Sequence, residues 1–238
     1  MEIKRYILVT GAGSGIGRAL CSRLLDDRLN VVIALSKNAK HLSSLKEACQ
    51  EKPGIIYSMP FDLVSGNYDE LASEIQKITN CIDVLVNNAG VLVQSAFQET
   101  PISEWKAVYE VNLFSVVHLI QALLPAMENH EKTAHIVNIS SMGGVQGSIK
   151  FPGLSAYSTS KAALIGLTEV LAVEFMGKNI HVNCVALGSV QTEMFNKAFP
   201  GMKAGASKED IAEMLAEFCI KSSAVFNGKL ISVSISTP

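Results

Sequence analysis

Tyr6-Ile7-Leu8-Val9-Thr10-Gly11-Ala12-Gly13-Ser14-Gly15-Ile16-Gly17 is an apolar run that ends in a glycine-rich turn. The run has the character of a buried strand, and Ile16, Ala19, Leu20 and Leu24 follow it at helical spacing. Three demands meet in such a turn. The chain must reverse through positive φ, its backbone must approach a pyrophosphate closely, and the helix must pack tightly on the strand. The helix start then offers unpaired N–H groups and a positive dipole end to the phosphates. A plain tight turn would use the same glycines, so it is the position between strand and helix that strengthens the reading. A P-loop is excluded, because no Gly-Lys-Ser/Thr closes the motif.

Working outward, short apolar runs recur at Val31-Leu35, Ile55-Met59, Asp83-Val86, His135-Ile139, His181-Ala186 and Lys229-Ile235, with helical patterns between them. Most of these runs do not alternate, as expected of parallel strands covered on both faces. No linker or repeat divides the chain. The expectation is one α/β domain over residues 1–238, a doubly wound Rossmann fold with a seven-stranded, mostly parallel sheet and helices on both faces. The helix Val111-Met127 is apolar nearly all round, which calls for burial on all sides. Either a neighbouring helix covers its outer face or a partner subunit does.

Composition narrows the function. Of 238 residues, 48% are hydrophobic and 18% charged, and the net charge is -2. That excludes a disordered chain and makes neither nucleic acid nor an anionic membrane a natural partner. No run of 18 consecutive apolar residues occurs and no signal peptide is evident, so no bilayer-spanning helix is expected. Cys21, Cys49, Cys81, Cys184 and Cys219 are odd in number and form no CxxC pair, which fits a reduced, cytoplasmic protein. No His/Cys/Asp/Glu cluster has metal-ligand spacing, so no metal is expected.

The second strand ends in Ser36-Lys37-Asn38. An acidic residue there would hold the adenosine 2′-OH of NAD, whereas Ser36 and Lys37 suit the 2′-phosphate of NADP. The expectation is a preference for NADP(H), with a merely solvated Lys37 as the alternative. Downstream, Tyr157 and Lys161 are four residues apart in Ala156-Tyr157-Ser158-Thr159-Ser160-Lys161, hence on one helical face. A neighbouring ammonium stabilises phenolate. A fall of about three units from the usual value near 10 corresponds to roughly 4 kcal/mol and would give an acid/base working near neutrality.

With these residues in place the chain resembles the short-chain dehydrogenase/reductase family, from about Ile3 to Ile235. The resemblance rests on Thr10 to Gly17, Asp62 after the third strand, Asn87-Asn88-Ala89-Gly90 after the fourth, Asn112, the Ser140-Ser141 pair, Tyr157-x-x-x-Lys161 and a loop ending in Thr192. It implies an oxidoreductase that transfers a hydride between a nicotinamide cofactor and a carbonyl or alcohol carbon. By the same resemblance Tyr157 is the general acid/base, Lys161 binds the nicotinamide ribose and depresses the tyrosine pKa, and Ser141 holds the substrate oxygen. Asn112 interrupts the long helix and anchors a water; a satisfied core amide is the other reading. Gly11, Ser14, Gly15, Ile16 and Gly17 cradle the pyrophosphate. Asp62 and Leu63 meet the adenine, Asn88, Ala89 and Gly90 the adenosine ribose, and Gly188, Val190 and Thr192 the nicotinamide end. Asp62 could instead cap the helix that begins near Asn67. The resemblance also implies a homodimer or homotetramer.

Two departures from the family matter. Its serine usually lies about thirteen residues before the tyrosine, which here would select Gly144, without a hydroxyl. Ser141 is therefore preferred, with about three extra residues placed in the loop Val145-Gly153. Leu187-Gly188 stands where Pro-Gly is common, which adds an N–H donor. In the segment 193–206, Met194, Phe195, Phe199 and Met202 form either the apolar underside of a short substrate lid or a packed surface loop. Two rival functions are a catalytically silent nucleotide sensor and an adenosyl-donor methyltransferase. The first leaves the full Ser141, Tyr157, Lys161 and Asn112 set idle; the second leaves the tyrosine-lysine pair unexplained.

Overall fold

The computed structural model describes residues 3–128 and 132–235. In chain order the elements are β1 (Arg5–Thr10), α1 (Gly15–Leu24), β2 (Asn30–Ser36), α2 (Ala39–Ala48), β3 (Ile55–Pro60), α3 (Tyr68–Gln76) and β4 (Val84–Asn87). There follow α4 (Ile102–Tyr109), α5 (Ser115–Glu128), β5 (Ala134–Ser141), α6 (Ser155–Glu174), β6 (Ile180–Leu187) and β7 (Val190–Gln191). Last come α7 (Glu193–Ala198), β8 (Ala206–Ser207), α8 (Lys208–Lys221) and β9 (Leu230–Val233).

Seven strands form one sheet in the order β3-β2-β1-β4-β5-β6-β9, and every pairing is parallel. Parallel neighbours need crossover connections, and the helices supply them on both faces. Successive strand side chains point to opposite faces. Ile7 and Val9 accordingly join Leu20, Leu24, Val32 and Leu215 in one core layer. Leu8 between them joins Ile33, Leu85, Leu119, Leu123 and Leu164 in the other. Two-sided burial is why these strands read as continuous apolar runs. A separate parallel pair, β7 with β8, joins Val190 to Ala206 and Gln191 to Ser207.

The long apolar helix departs from expectation. Between α4 and α5 the turns widen to a π-helical segment, Glu110–Phe114, centred on Asn112. Val116, Leu119, Ile120, Leu123 and Met127 are buried in the core, whereas Phe114, His118, Gln121 and Pro125 are exposed. The burial on all sides that its composition called for is therefore not met within one chain. The continuous stretch Ile102–Glu128 has 27 residues and a window of mean hydropathy 1.5, enough by length and composition alone to cross a membrane. Counting only consecutive apolar residues overlooked it. Here its buried side forms a wall of the core beneath the sheet.

Most polar residues inside the core are paired, although Asn87 Oδ1 and Ser58 Oγ find no partner among the described residues. Asn87 Nδ2 donates to Asn138 Oδ1 (2.8 Å) across β4 and β5, and Asn138 Nδ2 donates to Thr168 Oγ1 on α6 (2.9 Å). At the other end of the sheet, buried His135 bridges the Cys219 carbonyl at Nδ1 (3.1 Å) and Asn183 Nδ2 at Nε2 (3.0 Å). Burial pulls this imidazole down to about 4. The unfolded chain therefore takes up the proton first, so the neutral ring's contribution is complete above about pH 6.5 and is lost as pH falls towards 4. That contribution is of order 3 kcal/mol. Urea unfolding at pH 7 and pH 4.5 should show wild type losing more stability than His135→Gln, the gap between the two closing with acidity; a constant gap would refute this.

Candidate cofactor and proton-transfer site

The strand order reverses between β1 and β4, and at such a switch point a crevice opens beyond the carboxyl ends of the strands. Asn88 lines its floor, with Thr10 buried beneath it. Thr10 Oγ1 accepts from the N–H groups of Asn88 and Ala89 (3.0 Å each), and Asn88 Nδ2 donates to the Thr10 carbonyl (2.9 Å). Gly11, at φ +67°, has room for no side chain: a Cβ there would lie 2.9 Å from Asn88 Nδ2 and 3.0 Å from Ala89 Cα. At Gly17 a Cβ would stand 2.4 Å from the Gly11 carbonyl oxygen. The glycines thus let turn, helix and β4 loop close on one another.

What this leaves at the start of α1 is a phosphate cradle. Ser14 occupies the N-cap position with no side-chain cap bond, and the first turn carries no acidic residue. Gly15, at φ +52°, faces Thr192 across the crevice, where a Cβ would lie 3.6 Å from Thr192 Cγ2. A cavity of about 810 Å³ runs from Ser36, Lys37, Asp62 and Leu63 past this cradle to Tyr157, Gly188 and Val190. A dinucleotide fits both its chemistry and its elongated course. Asp62 does not cap α3; Asn67 does so, accepting from the N–H groups of Asp69 and Glu70. Asp62 Oδ1 instead accepts from the Val64 N–H (2.9 Å), closing its own turn at the cavity wall. Ser36 Oγ accepts from the Asn38 N–H (3.3 Å), and Asn38 caps α2.

The far end of the cavity gathers Ser141, Tyr157 and Lys161. Ser141 ends β5, and its Oγ accepts from the Gly143 N–H (3.1 Å) while remaining within hydrogen-bonding reach of the Tyr157 phenol. Gly144, the alternative by spacing, packs against α6: a Cβ there would lie 2.7 Å from the Ala162 nitrogen. Lys161 is 4% exposed and its Nζ donates to the Ile139 carbonyl (2.8 Å). β6 continues through Leu187, in register with Ser141 and Val233, where a proline would remove a ladder donor.

The expected depression of Tyr157 by Lys161 is not met in the protein alone. Burial raises the phenol above its ordinary value, opposed by the Ser141 hydroxyl. Burial also pulls Lys161 down to about 8, with Cys184 working the other way. Buried Lys161 and half-buried Tyr157 have each moved towards neutrality, and the ammonium is directed at a backbone carbonyl rather than at the phenol.

Asn112 and Gly17 lie behind the cavity wall. Asn112 is fully buried: Nδ2 donates to the Val91 carbonyl and to Ser160 Oγ (3.0 Å each), and Oδ1 accepts from the Val91 N–H (2.8 Å). Its amide is thus satisfied by protein and clamps the 88–91 loop, the π turn and α6 together. A Cβ at Gly90 would lie 3.4 Å from Lys161 Nζ, so this clamp also sets the room around the ammonium. Sequence reasoning missed Ser160, whose Oγ also donates to the Tyr157 carbonyl (2.7 Å), although it stands in the quoted tyrosine-lysine stretch. Tyr68 was missed too; its hydroxyl holds the Leu63 carbonyl (2.6 Å), and no sequence signal marked it.

A dinucleotide cradle at a switch point, with a tyrosine, a lysine and a serine at its far end, defines a nucleotide-dependent oxidoreductase of the Rossmann class. The model of the short chain dehydrogenase family matches residues 5–203, and the chain belongs to that family. It is 36% identical over 196 residues to the 3-oxoacyl-[acyl-carrier-protein] reductase FabG of Thermotoga maritima, covering 81% of this chain and 77% of the relative. The FabG of Aquifex aeolicus is 31% identical and covers 98% of both chains. Among solved structures, the Pseudomonas aeruginosa RhlG/NADP active-site complex superposes with a TM-score of 0.87 at 27% identity, covering 98% of this chain and 95% of the other.

Gly17→Ala tests the close approach. The added methyl meets backbone on one side and Asn88 on the other, so stability should fall by about 1–3 kcal/mol. Thermal unfolding reads this, and an unshifted midpoint would show that the turn can open freely.

Proposed function

We propose that this chain transfers a hydride between NADP(H) and the carbonyl or alcohol carbon of a small, apolar substrate, with Tyr157 as general acid/base. The observation that carries the proposal is the meeting of Ser141, Tyr157 and Lys161 at one end of the cavity that has the glycine turn along its length. A bound nicotinamide dinucleotide supplies or accepts the hydride. The protein's own residues do the rest. Ser141 and Tyr157, already within mutual hydrogen-bonding reach, both present hydroxyl groups to a substrate oxygen placed between them. The raised phenol keeps its proton at neutral pH and can give it to that oxygen in reduction. In the reverse direction Tyr157 takes the alcohol proton, so oxidation should gain rate as pH rises. Lys161 Nζ, which donates to the Ile139 carbonyl, would hold the nicotinamide ribose of a bound cofactor, and its charge there would favour the phenolate.

Gly11, Ser14, Gly15, Ile16 and Gly17 shape the pyrophosphate cradle, Asp62 and Leu63 the adenine wall, and Asn88, Ala89 and Gly90 the ribose floor. Gly188, Val190 and Thr192 close the nicotinamide end. Ser36 and Lys37 favour a 2′-phosphate because no carboxylate at the β2 terminus repels it. Bound NADP in the RhlG complex is consistent with this reading. The segment 193–206 acts as the lid over the substrate.

NADPH-dependent reduction of a ketone panel tests the core of the proposal. Tyr157→Phe should lower kcat by about 10²–10⁴-fold. In the same assay Lys37→Glu should raise the KM for NADPH about tenfold or more while leaving NADH little affected. An active Tyr157→Phe enzyme, or wild type binding NADH more tightly than NADPH, would overturn the respective parts.

Self-association belongs to the same reading. Phe114 on the π turn, and Val170 and Val173 on α6, leave apolar side chains in water that a second copy would cover. The five free cysteines suit a reducing, cytoplasmic setting. Light scattering should show Val170→Glu dissociating the dimer or tetramer; a monomeric wild type would remove this element.

A further inference from the structure

The outer end of the cavity is walled by two segments that the core does not require. One is the loop 145–153, whose polar groups turn inward. Ser148 Oγ donates to the carbonyls of Met142 and Val145, and Lys150 Nζ donates to the Val145 carbonyl and to Ser148 Oγ (2.7 Å). The Ser95 N–H fastens the far end to the Gly153 carbonyl (3.0 Å). So braced, the loop leaves Ile149 58% and Phe151 53% exposed at the cavity mouth.

The other segment, 192–205, is equally fixed at its base. β7 pairs with β8, the Ala204 N–H donates to Gln191 Oε1 (3.0 Å), and the Gly205 N–H donates to Ser189 Oγ (2.9 Å). Thr192 caps α7 by accepting from the Phe195 N–H (3.2 Å). Above these anchors Phe199 meets Phe195, with ring centroids 5.2 Å apart. It also meets Phe151 of the opposite loop edge-on at 5.7 Å. An aromatic contact thus spans the mouth between two braced loops.

Apolar surface held in water by a braced backbone favours an apolar occupant. The continuity of this wall with Ser141 and Tyr157 says which occupant: the non-reacting part of the substrate. Charge does not compete with this. Lys150 is spent on its own loop, and Lys203 and Glu193, which both line the wall, carry opposite charges that leave it no net sign. We infer that Phe151 and Phe199 form a gate selecting neutral carbonyl substrates with an extended apolar substituent, which lies between the loop and the lid. The inference rests on the hydride-transfer reading and adds the substrate class to it.

A ladder of methyl ketones from 2-butanone to 2-undecanone, assayed with NADPH, tests the gate. In wild type kcat/KM should rise about fourfold per added methylene until the wall is filled. Phe199→Ala and Phe151→Ala should each flatten that rise, and the double variant should add little because the two rings share one contact. Phe199→Leu should restore part of it. A flat wild-type ladder, or an unaltered slope in Phe199→Ala, would overturn the gate while leaving hydride transfer intact. Calorimetric titration of 2-undecanone into the protein with NADP⁺ supplies the second arm. Binding weakened in both alanine variants, with no ketone turned over, would keep the gate and overturn the hydride-transfer reading. Absence of both binding and turnover would overturn both.

Discussion

The junction of β1 with β4 sets the geometry of everything above it. Thr10 and Asn88 exchange hydrogen bonds at the point where the strand order reverses, and this is possible only because Gly11 and Gly17 carry no side chains. The constraint is steric first and polar second. Contact between the turn backbone and the β4 loop aims the start of α1 into the crevice, and the Thr10 hydroxyl satisfies two N–H groups that would otherwise be stranded there. The same loop continues through Gly90 to Val91, which Asn112 grips at both its N–H and its carbonyl. Cradle and proton-transfer group are therefore connected through one short strand exit, hydrogen-bonded at Asn88, Ala89 and Val91.

Lys161 is held by a second polar system. Asn87, Asn138 and Thr168 carry a row of amides and a hydroxyl from the middle of the sheet to α6. Ser140 Oγ then donates to the Lys161 carbonyl (2.9 Å). Buried polar rows of this kind are costly if any member is unmatched, and their geometry is correspondingly unforgiving. The helix that carries Tyr157 and Lys161 is thus fixed in rotation by hydrogen bonds.

Much of this was legible in the sequence, for identifiable reasons. Each expected strand run overlaps an observed strand; in the central strands burial on two faces forces continuous apolar residues, while the edge strands β3 and β9 keep an exposed side. The glycines of the turn, and Tyr157 with Lys161 on one helical face, are local patterns that spacing reveals. What escaped is non-local. The partner of Asn87 lies 51 residues away, and Tyr68 acts on Leu63 from the opposite side of a turn. Protonation also escaped: a pair of residues four apart suggests attraction, but burial acts on each separately and drives both towards neutrality. The long helix misled in another way, because its composition records what the outer face prefers without saying what covers it.

A buried lysine whose ammonium finds, among the described residues, a backbone carbonyl as its hydrogen-bond partner is an expensive feature for a fold to keep. Desolvation has already pulled Lys161 to about 8, and the Ile139 carbonyl offsets only part of the cost of burying a charge. A methionine of similar length would suit the same pocket better for stability alone. The surrounding structure nevertheless leaves room for that ammonium, with glycine at position 90 and a clamped loop beside it. Sites that violate the rules of a stable core in this way are where function is expected to reside. The exposed Phe151 ring at the mouth, with Ile149 beside it, violates a different rule, leaving apolar surface in water on braced backbone. Both departures lie along one cavity, at its reacting end and at its opening.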